Sequence, residues 1–147
     1  GNVVLAHVLR RRPDAAAIIA TAPFLVLPKE PPAFQVALGR LLDRVAPSVT
    51  LPTGLDAALI SRIPAEVAAY RGDPLVHGRI SPRWFLGARA AAAEILARAG
   101  EFPLPLLLMH GGADGIVSAE GSRLFVERAG AGCRYREFPG AYHELHN

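Results

Sequence analysis

The chain has 147 residues, 51% of them apolar and 20% charged, with a formal net charge of +3. That composition suits one globular domain with a real core and excludes a disordered chain. No apolar run approaches the roughly 20 residues of a membrane-spanning helix, and no charged-then-apolar leader pattern is read at the start.

Cys133 is the single cysteine. It excludes an internal disulfide framework and a cysteine-based metal knot, and it fits a reducing, cytoplasmic compartment. The arginines are scattered apart from Arg10-Arg11-Arg12. No aromatics interleave with that triplet. It therefore reads as the last turn of a helix, where cations complement the dipole, rather than as a nucleic-acid patch.

In chain order, NVVLAHVLRRR over residues 2–12 predicts a helix buried on most faces and stopped by Pro13. AAAIIA over 15–20 predicts a short buried strand, which ends at TAPF, a candidate functional loop. The prolines within 28–32 mark a boundary. Phe34, Leu38, Leu41 and Val45 then form one stripe of helical period, ended by Pro47. From Ser48 to Ile80 prolines and glycines leave room only for short helical pieces, near 55–61 and 64–70.

Ser81-Pro82 is a helix start, followed by the stripe Phe85, Ala88, Ala92, Ile95 and Ala99. LPLLLM over 104–109 has the continuous apolar character of a central parallel strand. It runs into HGGADG, read as a turn that needs glycine backbone freedom. A helix capped by Ser118 follows, then an alternating edge strand over 133–138, and Pro139-Gly140 turn the chain into the last loop.

Helix, strand, insert, strand, helix, strand is an α/β pattern with a parallel sheet. Three parts are expected: residues 1–23 and 81–147 as core, and 24–80 as an inserted helical cap. Residue 1 is glycine inside an apolar run, and Asn147 follows His146 with no closing element. Both ends read as cut in mid-structure, so a fragment of a longer protein is expected.

Ligand sites of parallel sheets lie outside the carboxyl ends of the strands. Asp114 and His143 each fall just after such an end, on strands joined by one helix. An aspartate that accepts a hydrogen bond from a histidine fixes its tautomer and stabilises the imidazolium, leaving the histidine as a general base. No nucleophile accompanies them: Ser48, Ser61, Ser81, Ser118 and Ser122 all lie outside any G-x-S-x-G, and Cys133 starts its strand at the far end.

Other readings stand beside this one. Asp114 also reads as a cap of the following helix. His143 and His146 also read as metal ligands, although HELH has the wrong spacing for H-E-x-x-H. His7 reads as a core histidine, and Asp73 as a turn former or the source of a cap-to-core bond. His77 has no clear partner. The apolar insert, with Phe24, Leu25, Leu27, Phe34 and Leu38, reads equally as cap core, acyl-chain tunnel or membrane contact.

HGGADGIVS followed by GAYHELHN resembles the end of the monoacylglycerol lipase and lysophospholipase group of α/β-hydrolases, a serine aminopeptidase S33-like set. LDAALISR and YRGDPLVHG resemble segments of that group's cap. Phe138 stands where the family's aromatic precedes the base turn. The resemblance covers almost the whole chain but only the C-terminal half of the family's fold. It implies an α/β-hydrolase with Asp114 as acid and His143 as base. Gly1 is similar to the last glycine of the family's G-x-S-x-G-G elbow, which implies a serine three residues before it.

The resemblance further implies cleavage of carboxylic esters, monoacylglycerol or lysophospholipid, with no cofactor and no metal. Nucleophile, oxyanion hole and first strands fall outside this stretch, which is expected to be inactive alone. The partner implied is a small lipid ester, without nucleic acid, and with peripheral membrane contact through the cap as a further reading. Oligomeric state stays open. The alternatives are an aminopeptidase-like enzyme or thioesterase of the same fold, or a binding module without catalysis.

Overall fold

The structure is a computed structural model that describes residues 1–146; Asn147, which the sequence reading sets after the last histidine, lies outside the described residues. The elements in order are α1 (Asn2–Arg11), β1 (Ile18–Thr21), α2 (Ala33–Val45), β2 (Leu51–Pro52), α3 (Pro64–Gly72), β3 (Arg79–Ile80), α4 (Pro82–Ala97), β4 (Leu106–Gly111), α5 (Ala119–Ala129) and β5 (Cys133–Phe138). Short 3₁₀ turns lie at Ala57–Leu59 and Ala99–Glu101.

The main sheet has the order β1-β4-β5 and is parallel throughout, with Ile18 opposite Leu106 and Leu106 opposite Cys133. All three carboxyl ends therefore point to one rim. Leu106 and Leu108 face inward from the central strand and meet Leu5, Leu9, Ala92, Ile95, Ala99 and Phe125 in the core. Phe125 stands edge-on to Phe102 at 5.5 Å between ring centroids, a geometry that adds to its burial.

The C-terminal helices follow the sequence closely. Ser81 Oγ accepts Trp84 N–H at 3.1 Å and starts α4, with Pro82 in its first turn. Ser118 Oγ accepts Glu120 N–H and starts α5, which Gly130 ends at φ +81°. At the end of α1, Arg98 donates to Leu9 O at 3.2 Å and pairs with Glu94 at 3.0 Å.

Four expectations need correction. α1 buries one face, through Leu5, Val8 and Leu9, rather than most faces. Val3, Val4 and His7 are exposed, and Val3 and His7 line an open cleft toward α4 instead of entering the core. His7 is therefore a surface residue. The insert is not purely helical either: β2 and β3 pair antiparallel, Leu51 opposite Ile80. Finally, β4 extends through His110 and Gly111, which pair with Glu137 and Phe138 and so are strand rather than turn.

Within the insert, α2 and α3 bury no residue completely. The α2 stripe of Phe34, Leu38, Leu41 and Val45 is 51–69% exposed. No helix among the described residues is long and apolar enough to cross a membrane.

Candidate active site

Asp114 sits in the loop between β4 and α5, and the two oxygens of its carboxylate have separate duties. Oδ1 accepts the backbone N–H groups of Ile116 at 2.8 Å and Val117 at 3.1 Å. Oδ2 accepts Nδ1–H of His143 at 2.8 Å. The histidine bond is present, whereas Asp114 does not cap the following helix: Oδ1 closes a tight turn, and Ser118 is the cap of α5. The Asp114 side chain is fully buried and that of His143 is 27% exposed.

The base loop is strapped to the acid loop by backbone. Gly112 N–H donates to Phe138 O at 2.9 Å, and Ala113 N–H donates to Ala141 O at 3.0 Å. Gly140, at φ +73°, turns the chain off β5. Gly111 is needed for a different reason from the conformational freedom expected of it. A Cβ there would overlap the carbonyl oxygens of Ala141 and Tyr142. The missing side chain lets the two loops touch.

The insert also reaches this rim. Ile60 O accepts Glu144 N–H at 2.9 Å, and Arg62 Nη1 donates to Gly140 O at 3.1 Å. The Leu59 side chain covers Gly115 of the acid loop. Ile60 and Ser61, next to these contacts, are buried.

Electrostatics favour an ionised Asp114. Burial pushes its carboxyl up, but the His110 imidazole beside it, the hydrogen bond from His143 and those from the Val117 and Ile116 amides outweigh that and hold it well below the usual carboxylate range. A carboxylate only accepts, so the His143 proton is assigned to Nδ1. Nε2 is left for another partner. His143 lines a cleft of about 330 Å³ together with Gly1, Thr21, Ala22 and His146.

His146 is exposed, and Asp73 Oδ1 accepts Leu75 N–H at 2.8 Å in a local turn, as expected. Cys133 is buried at the far end of β5, and burial raises its thiol pKa. Among the described residues no group of three His, Cys, Asp or Glu could hold a metal.

One site residue was missed in the sequence. His110 is fully buried, with Nε2 3.2 Å from Asp114 Oδ2 and Nδ1 2.7 Å from Ser122 Oγ. The signal was the strand period: Leu106, Leu108 and His110 share the inward face. Reading HGG as a turn broke that period too early.

Comparison with known proteins gives the family and the fold. The profile of the serine aminopeptidase S33 family matches residues 1–147. A monoacylglycerol lipase of Mycolicibacterium smegmatis is 32% identical over 100% of this chain and 53% of its own length. The crystal structure of Paleococcus ferrophilus monoacylglycerol lipase superposes with a TM-score of 0.90 at 35% identity, covering 98% of this chain and 56% of that one. A Saccharomyces cerevisiae monoglyceride lipase variant, at 23% identity and a TM-score of 0.80, shares the fold. The chain spans about half the length of each of these relatives. Matched along its whole length and sharing this α/β-hydrolase fold, the chain belongs to the serine aminopeptidase S33 family.

Proposed function

We propose that this chain is the C-terminal half of a serine hydrolase that cleaves carboxylic esters, with Asp114 as acid and His143 as base. The observation that carries the reading is the 2.8 Å bond from His143 Nδ1 to the buried Asp114 carboxylate, which leaves Nε2 for another partner on a residue that lines a cleft with Gly1. Gly1 suits the end of a nucleophile elbow. A Cβ there would crowd Pro23 Cα and Thr21 O, so the backbone comes as close as an elbow requires.

In this mechanism His143 takes the proton of a serine three residues before Gly1 as its oxygen attacks the ester carbonyl. Asp114 stabilises the imidazolium so formed. His143 then protonates the leaving alcohol and activates water against the acyl-enzyme. The oxyanion donors are backbone amides, one of them from the residue after that serine. Neither metal nor cofactor is required.

Monoacylglycerol or lysophospholipid is the proposed substrate. Relatives named monoacylglycerol lipase and, in Bacillus subtilis, phospholipase support it. So does the apolar stripe that α2 presents to solvent, which would suit peripheral contact with a lipid surface in a cytoplasmic enzyme. Residues 24–80 act as the cap in this scheme, between core segments 1–23 and 81–147.

The test is turnover of a monoacylglycerol beside an aminoacyl amide by the full-length polypeptide. The ester should be preferred. Asp114→Asn and His143→Ala should each lower kcat by about 10⁴-fold, while His146→Ala changes it little. Preference for the amide would move the substrate class to peptides. Full activity of either mutant would remove that residue from the mechanism.

A further inference from the structure

Asp114 Oδ2 has a second imidazole beside it. His143 Nδ1 donates to it at 2.8 Å from the cleft side, and His110 Nε2 lies 3.2 Å away on the core side. His110 and Ser122 are fully buried, with His110 Nδ1 2.7 Å from Ser122 Oγ. Cut off from solvent, these groups must satisfy one another.

For a neutral His110 ring, one placement of the proton does so. A proton on Nδ1 alone would turn the Nε2 lone pair toward an ionised carboxylate oxygen. A proton on Nε2 faces that oxygen as a donor, and the Ser122 hydroxyl then donates to Nδ1. The Nε2 to Oδ2 approach lies off the line of a standard hydrogen bond. Catalytic hydrogen bonds are commonly slack in this way before substrate arrives and tighten in the reacting complex.

We propose that His110, oriented by Ser122, is a positioning residue that holds Asp114 against His143 during ester hydrolysis. The inference rests on the assignment of Asp114 and His143 as acid and base. Backbone amides fix Oδ1 from within the acid loop. His110 Nε2 faces Oδ2 from the core strand at 3.2 Å. The carboxylate therefore keeps its place, and the histidine on its surface loop aligns to it. Ser122-His110-Asp114 repeats the residue types of a catalytic triad, but Ser122 faces the core and no substrate can reach it.

The test compares His110→Gln, His110→Leu and Ser122→Ala in the full-length polypeptide, with a monoacylglycerol as probe and Asp114→Asn as control. Gln places an amide donor near the position of Nε2; Leu places none. His110→Leu should lower kcat by as much as about 100-fold at unchanged KM. His110→Gln should restore most of that loss, and Ser122→Ala should lower kcat in the same direction. Wild-type kcat in His110→Leu, or equal losses in the Leu and Gln variants, would overturn the inference. If the Leu variant does not fold, Ser122→Ala decides: reduced kcat at constant KM supports it, and wild-type kcat overturns it. Full activity in Asp114→Asn would instead remove the acid assignment on which it rests.

Discussion

Phe125 and Phe34 both lie on amphipathic helices, yet Phe125 is fully buried and Phe34 is 68% exposed. Phe125 on α5 faces Phe102 and the β4 strand. Phe34 on α2 heads a stripe that is 51–69% exposed. The core is thus fixed by burial. The outer insert packs loosely against α4 and carries exposed polar links such as Arg83 Nε to Asp43 Oδ1 at 2.7 Å and Arg79 Nε to Thr50 Oγ1 at 2.9 Å. Its inner edge, at Leu59 to Arg62, is the exception and lies where the insert touches both loops of the site. The same residue pattern therefore builds a buried seat for Asp114 beside His143 on one side and an exposed apolar surface on the other.

The largest effect expected on stability comes from the core. Phe125→Ala should cost about 3–5 kcal/mol, read as a fall in the denaturant midpoint. A loss below 1 kcal/mol would mean that the core is no better packed than the insert. Next comes Gly111→Ala, which forces the base loop off the acid loop. With a displacement near 1 Å, activity of the full-length polypeptide should fall by about 100-fold. Unchanged activity would show that the loops do not need this contact.

A smaller effect is expected in acid. The Asp114 pKa is depressed in the fold, so its stabilisation is complete above the unfolded carboxylate value of about 4 and is lost as pH falls below it. Stability of Asp114→Asn should therefore fall less steeply than that of the parent between pH 6 and pH 3. Parallel curves would contradict the depressed pKa. Smallest of all, Leu38→Ser on the exposed stripe should change stability by no more than about 0.5 kcal/mol. A larger loss would show that α2 is as buried as α5.

What the sequence made legible follows the same division. Continuous apolar runs, serine caps and glycine stops located β4, α5 and β5, because burial and capping act locally on those residues. Asp114 and His143 were legible as rim residues because parallel strands fix the rim. The exposure of the α2 stripe was not legible: a helical period marks an apolar face without saying what covers it. His110 was hidden for a related reason. Its glycine neighbours signalled a turn, but Gly111 serves a close approach inside a strand, and such an approach is set by a loop 30 residues away in the chain.

The central claim is that His143 serves a serine just before Gly1. The most direct measurement is labelling of the full-length polypeptide with a fluorophosphonate, with the adduct mapped by mass spectrometry in the parent and in His143→Ala. One adduct, on the serine three residues before Gly1 and lost in His143→Ala, is the predicted result. No adduct, or an adduct elsewhere that persists without His143, would contradict it.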